Sequence, residues 1–138
     1  MSLWKQLYAM VWLAFLQIVI IILPRFTVYL VDAHVALGLI ILVLAHYDNA
    51  QFKKMEAPNR LKRIAKSTAI LATIQIILGV ILYVDLRLSV SVPLVSVVSF
   101  VHLVIALAII TQASSVATAY DMWEEREYTA SPKPSTTK

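Results

Sequence analysis

The sequence predicts an all-α integral membrane protein, and three observations favour that fold class. The chain is 60% hydrophobic and has a mean hydropathy of +0.79. Only 14% of its 138 residues are charged, whereas about 25% are charged in an average soluble domain. The apolar residues fall into four long runs without the alternation of transmembrane β-strands. We therefore expect a bundle of four transmembrane helices.

Each run approaches or exceeds the roughly 20 residues that a helix needs to cross about 30 Å of hydrocarbon. The predicted helices lie at about residues 6–24, 26–46, 67–85 and 93–120. They form one bundle over residues 1–120. Pro93 suits the first turn of the fourth helix, because its missing N–H group would have no intrahelical partner there. Residues 121–138 are expected to form the end of that helix and then a disordered tail, since TASPKPSTTK cannot build a core.

The distribution of basic residues predicts the orientation in the membrane. Six of them lie between the second and third runs: Lys53, Lys54, Arg60, Lys62, Arg63 and Lys66. The other two connections carry one arginine each, Arg25 and Arg87. By the positive-inside rule, residues 47–66 form a cytoplasmic loop and both termini are cytoplasmic, in a multi-pass protein of the cell membrane. Basic residues placed in this way favour lipid headgroups as their partner, and not nucleic acid.

Two sequence similarities predict an internal repeat. Gln17 in FLQIVIIIL matches Gln75 in TIQIILGVIL, and HVALGLIIL at His34 resembles HLVIALAII at His102. The histidine follows the glutamine by 17 residues in the first pair and by 27 in the second. The longer connection before Pro93 can absorb the difference. We expect two parallel two-helix repeats, related by an axis along the membrane normal.

The depth of the two histidines predicts a cofactor. His34 lies nine residues after Arg25, and His102 lies nine residues after Pro93. At 1.5 Å per residue, each imidazole lies roughly 13 Å below the start of its helix. Two histidines at one depth, on helices that run in the same direction, can ligate one heme iron axially. The alternative is that the two histidines only form hydrogen bonds between helices.

Small residues near these histidines are candidates for the cofactor site. Gly38 and Ala106 each lie four residues after a histidine, on the same helical face, and leave room for a porphyrin or for a close helix. Gln75 is either a cofactor contact or a polar contact between helices. His46 lies near the inner surface, where the fourth helix offers no histidine, and is interpreted as an interface residue.

Charged residues at the outer rim are candidates for contacts with the heme propionates. Arg25 and Arg87 could form charge-assisted pairs with these carboxylates, or they could simply anchor the chain at the interface. Asp32 and Asp85 could pair with the arginines or orient an imidazole.

The pattern QIILGVILYV followed by HLVIALAII resembles the glutamine-x-x-leucine-glycine and histidine-leucine motifs of heme A synthases. Over roughly residues 7–119, the chain is similar to one half of that family's eight-helix fold. The resemblance implies a b-type heme on His34 and His102. In that family, oxidation of heme O is associated with a glutamate three residues before the second-helix histidine and an arginine directly after it. Val31 and Val35 occupy these positions here.

Three functional hypotheses follow. The first is a heme b cytochrome that transfers electrons within or beside a respiratory complex, with other subunits or a quinone as partners. The second is heme A synthase itself, acting on heme O as a homo-oligomer, with Asp32 as the candidate catalytic acid. The third is a heme-free structural subunit of a membrane oxidase.

Overall fold

The computed structural model describes residues 2–22, 28–88 and 93–130. This part of the chain forms four helices: α1 (Leu3–Ile22), α2 (Val28–Lys54), α3 (Asn59–Leu88) and α4 (Val95–Ala130). All four are long and apolar enough to cross a membrane. The predicted all-α class and the four apolar helices are therefore confirmed.

The predicted loop at residues 47–66 is mostly helical. Helix α2 continues to Lys54 and α3 begins at Asn59, so only residues 55–58 connect them. Phe52 is fully buried and Leu61 is 4% exposed, so both helix ends pack into the protein. The many charged residues of this segment occupy the solvent side of two amphipathic helix ends. The high charge content of these helix ends is the reason that the sequence predicted a loop here.

The chain enters α4 through a turn at Pro93 and Leu94, so Pro93 lies just before the helix and not in its first turn. Leu94 has a φ of 61°, in the left-handed region that few side-chain-bearing residues adopt. Its carbonyl accepts hydrogen bonds from the amides of Val97 and Val98, at 2.8 and 3.0 Å. These bonds start the helix.

The four helices form a closed antiparallel square. Helix α1 packs against α2 and α4, and α3 packs against the same two helices. Helices α2 and α4 therefore face each other across the diagonal. We call the end with the α2–α3 connection the basic end, because Lys53, Arg60 and Arg63 lie there. The opposite end, with His34 and His102, is the histidine end.

The inward residues of each helix are spaced alternately by four and three positions, as in left-handed helical bundles. The inward row of α2 consists of His34, Gly38, Ile41, Ala45, Asp48 and Phe52. The inward row of α4 consists of His102, Ala106, Ile109, Ala113, Val116 and Tyr120. Every residue in both rows is buried or half-buried.

The packed core lies in the basic half and the middle of the bundle. One cluster of buried residues comprises Leu7, Phe52, Ala57, Leu61, Ala65, Val116, Ala117 and Tyr120. The next comprises Met10, Ala14, Ile41, Ala45, Ala69, Ala72, Ile109 and Ala113. Alanines are frequent because small side chains let membrane helices approach closely. Towards the histidine end, the buried apolar residues among those described are Ile20 and Val31. The histidines therefore lie in the less densely packed half.

Candidate histidine site

His34 and His102 face each other across the bundle. Their ring centroids are 6.2 Å apart and the ring planes are inclined by 51°. Both rings are half-buried. Helices α2 and α4 are not neighbours in the square, so the two imidazoles reach toward each other through its interior. The two histidines that the sequence analysis paired are thus brought together in space.

A glutamine on a neighbouring helix accompanies each histidine, Gln17 of α1 for His34 and Gln75 of α3 for His102. The Gln17 side chain donates a hydrogen bond from Nε2 to the carbonyl of His34, at 2.8 Å. This bond joins α1 to α2 at the level of the histidine.

Several buried polar atoms at this site have no hydrogen-bond partner among the described residues. They are Nδ1 of both histidines, Oε1 of Gln17 and Oε1 of Gln75. Leaving such an atom unsatisfied costs about 1–3 kcal/mol. These four polar atoms belong to the two histidines and their accompanying glutamines, so the polar groups of the histidine end are concentrated at one site.

The two glycines give room to these side chains. A Cβ atom on Gly38 would lie 3.2 Å from Nε2 of Gln17, and one on Gly79 would lie 3.4 Å from Cε1 of His102. Gly38 thus permits the approach of the Gln17 amide, which is the close helix contact that the sequence predicted for this position. Ala106 lies half-buried one turn beyond His102.

The charged residues of the histidine end form an ion pair between α2 and α3. An Arg87 amino group donates a hydrogen bond to the Asp32 carboxylate. The guanidinium also lies over the ring of Tyr83, 5.6 Å from its centroid, and its Nε atom is buried without a partner among the described residues. Pairing with an arginine was one of the two roles predicted for Asp32. Arg25 lies outside the described residues.

His46 lies far from the histidine pair. It is exposed, and its Nε2 atom forms a hydrogen bond with Oγ1 of Thr73 on α3, at 3.0 Å. Twelve residues separate it from His34 along α2, which corresponds to about 18 Å.

Asp48 is a buried residue that was not among the site residues predicted from the sequence. This residue is 1% exposed, and neither carboxylate oxygen has a hydrogen-bond partner among the described residues. It occupies the inward row of α2 between Ala45 and Phe52. Its burial was missed because residues 47–66 were assigned to a loop. The alternating spacing of four and three from Ile41 to Phe52 was the signal that indicated it.

The donor set at the histidine pair fits a metal that brings most of its own ligands. Within the described ranges, no group of three or more His, Asp or Glu side chains could hold a metal ion. Two imidazoles alone are fewer than the three or four protein ligands of a typical zinc site. A single metal ion between the two rings would bind one nitrogen of each at about 2 Å. Each ring centroid lies about 1 Å behind its nitrogen, so the two centroids would be roughly 6 Å apart. The observed 6.2 Å meets that requirement.

No protein-family model, curated protein or solved structure is significantly similar to this chain. The function is therefore inferred from the residues of the histidine site and from their geometry.

Proposed function

We propose that this protein is a small b-type membrane cytochrome, similar to half of a heme A synthase, that transfers electrons within or beside a respiratory complex. The observation that carries the proposal is the opposition of His34 and His102 at a centroid separation of 6.2 Å. The half-buried position of both rings and their unpartnered Nδ1 atoms support it.

In this function His34 and His102 are the two axial ligands. Heme, when bound, supplies one-electron chemistry at a potential that depends on its axial ligands and on its burial. The hydrogen bond from Gln17 to the carbonyl of His34 holds α2 against α1 beside the site. Gly38, Ala106 and Gly79 keep large side chains away from the site.

Arg87 is the propionate partner in this proposal. Its guanidinium already forms an ion pair with the Asp32 carboxylate, and its buried Nε–H group has no acceptor among the described residues and can donate to a second carboxylate. Arg25, which precedes α2 in the sequence and lies outside the described residues, is assigned the same role from its sequence position alone. A charge-assisted contact with a carboxylate suits both side chains.

The proposal includes two parallel repeats, α1–α2 and α3–α4. The inward row of α2 corresponds to that of α4 with a shift of 68 positions, and this shift places histidine on histidine, isoleucine on isoleucine and alanine on alanine. A shift of 58 positions relates Leu3, Ala14 and Gln17 of α1 to Leu61, Ala72 and Gln75 of α3. The two shifts differ by ten residues, and most of this difference falls on the end of α3, which runs to Leu88, eight residues beyond the position that corresponds to Ile22 at the end of α1. The connection before Pro93 is therefore not the segment that absorbs it.

Electron transfer is preferred over oxidation of heme O. The positions that carry glutamate and arginine in heme A synthases are occupied by Val31, which is buried, and Val35, which is exposed. Asp32, the candidate substitute acid, is engaged by Arg87. We place the protein in the cell membrane with its basic end in the cytoplasm, because basic residues accumulate on that side of membranes.

The absorption spectrum of the full-length protein, expressed with ample heme and purified in mild detergent, tests the proposal. A six-coordinate, low-spin heme b spectrum with one heme per chain is the expected result. A protein that is folded but lacks a Soret band would overturn the cytochrome proposal and favour the hypothesis of a heme-free structural subunit.

A further inference from the structure

Two basic grooves flank the first turns of α3, at the end of the bundle opposite the histidines. The groove between α3 and α4 has a volume of about 390 Å³ and is lined by Arg60, Arg63, Ile64, Ser67, Gln112 and Ser115. The groove between α2 and α3 has a volume of about 540 Å³ and is lined by Asn49, Lys53, Asn59, Lys62, Arg63 and Lys66. Arg63 lines both grooves. Neither lining contains an acidic residue.

The α3–α4 groove has the donors that a phosphate group requires. Arg60, Arg63 and Ser67 follow one another at successive turns of α3, so their side chains share one face. Guanidinium groups bind phosphate oxygens through two parallel N–H bonds, which a lysine cannot reproduce. On α4, the Gln112 side chain accepts a hydrogen bond from Thr68 at Oε1, at 3.1 Å, and this orientation leaves its NH₂ group to donate.

The same two helix faces become apolar toward the middle of the bundle. On α3, Ile70 and Ile74 follow Ser67 at one-turn intervals and are 50% and 39% exposed. On α4, Val101 and Val104 lie eleven residues before Gln112 and Ser115, respectively, on the same helical face, and are 39% and 46% exposed. A cationic groove that opens onto an exposed apolar strip, at the edge of a membrane span, matches a molecule with an anionic head and hydrocarbon chains.

We propose that the α3–α4 groove binds one anionic glycerophospholipid, with its phosphate on Arg60 and Arg63 and its acyl chains along Ile70, Ile74 and Val104. The lysines of the α2–α3 groove add positive potential beside it. Basic pockets between transmembrane helices at the cytoplasmic surface are suited to such headgroups. The site is independent of heme, because it lies at the other end of the bundle.

Lipid retention by the purified full-length protein, measured by native mass spectrometry, tests this proposal. The probes are phosphatidylglycerol and phosphatidylcholine with identical acyl chains, titrated in a neutral detergent. We expect phosphatidylglycerol to bind in preference. The double substitution Arg60→Ala and Arg63→Ala should weaken its binding roughly 10- to 30-fold, at about 1 kcal/mol for each basic residue. Equal retention of both lipids by the unsubstituted protein would overturn the proposal.

Two matched variants separate a built site from general surface charge. Lys5→Ala with Lys54→Ala removes two positive charges from the same end without touching either groove, and should leave phosphatidylglycerol binding within about twofold. Arg60→Lys with Arg63→Lys keeps the charge and the fold but loses the guanidinium geometry, and should still weaken binding measurably. If the lysine-to-alanine pair weakens binding as much as the arginine-to-alanine pair does, the groove is not a specific site. The same conclusion follows if the arginine-to-lysine pair has no effect on binding.

A soluble competitor distinguishes lipid from free phosphate. Inorganic phosphate in large excess should not displace phosphatidylglycerol, because it lacks the chains that contact Ile70 and Ile74. Complete displacement would assign the groove to a soluble anion and overturn the lipid proposal.

Discussion

The imidazoles of His34 and His102 lie with their ring centroids 6.2 Å apart, although 68 residues separate them in the chain. They come from helices on opposite corners of the bundle, so no direct packing of α2 on α4 accounts for their meeting. Histidines inside a membrane are costly to bury and commonly mark a functional site. The separation of these two rings is the observation on which the proposed bis-histidine heme site rests.

Substitution of the paired histidines should remove the heme. His34→Ala or His102→Ala each deletes one axial ligand, so we expect loss of the six-coordinate spectrum or of the heme itself. Absorption spectra of purified variants at equal protein concentration measure this. His46→Ala is the matched control, because His46 is exposed and bonded to Thr73. An unchanged spectrum in His102→Ala would contradict bis-histidine ligation.

Conversion of heme O to heme A should be weak or absent. Val31 and Val35 stand where heme A synthases carry glutamate and arginine, and Asp32 is paired with Arg87. Co-expression with a heme O synthase, followed by pigment extraction and chromatography, gives the heme A content. Robust heme A production by this chain alone would favour the synthase hypothesis, and Asp32→Asn would then be the first variant to measure.

Residues near the α2–α3 connection and in the sequence between α3 and α4 should label from opposite sides of the membrane. The chain has no cysteine, so single cysteines at Asn59 and at Ser89 give unambiguous signals. An impermeant thiol reagent added to intact cells should reach the Ser89 variant and miss the Asn59 variant, which should label only after lysis. The reverse pattern would invert the orientation and move the histidine end to the cytoplasmic side.

Replacement of Asp48 by valine should stabilise the protein. Asp48 is 1% exposed with no partner for either carboxylate oxygen among the described residues, and Val116 fills the corresponding position of the α4 row. Removal of a buried, unsatisfied polar group is worth about 1–3 kcal/mol. Thermal unfolding in detergent should therefore show a higher midpoint for Asp48→Val.

Thr68→Val is the matched control for that substitution. Thr68 is equally buried, but its single hydroxyl hydrogen is shared between the carbonyl of Ile64, at 2.9 Å, and Oε1 of Gln112, at 3.1 Å. Its replacement leaves Gln112 Oε1 without this donor, so we expect the free energy of unfolding to fall by about 1 kcal/mol and the thermal midpoint to fall with it. A lower midpoint for Asp48→Val as well would mean that the carboxyl has a stabilising partner.

The sequence by itself predicted the four apolar helices, and it led to the hypothesis that His34 and His102 form a pair. Hydropathy and the length needed to cross a bilayer are properties of a contiguous segment, so α1 to α4 could be recognised without knowing their neighbours. Equal depth of two histidines depends only on residue counts and on the helical rise.

The tertiary structure decided which side chains meet. Helix ends that carry many charges look like loops until one face is known to pack, and for this reason the continuation of α2 past His46 and the burial of Asp48 were missed. The choice of Arg87 as the partner of Asp32, and the placement of α2 opposite α4, follow from the square arrangement of the helices. These contacts join segments that are distant in the chain, and their formation depends on how four helix surfaces fit together, which no local pattern specifies.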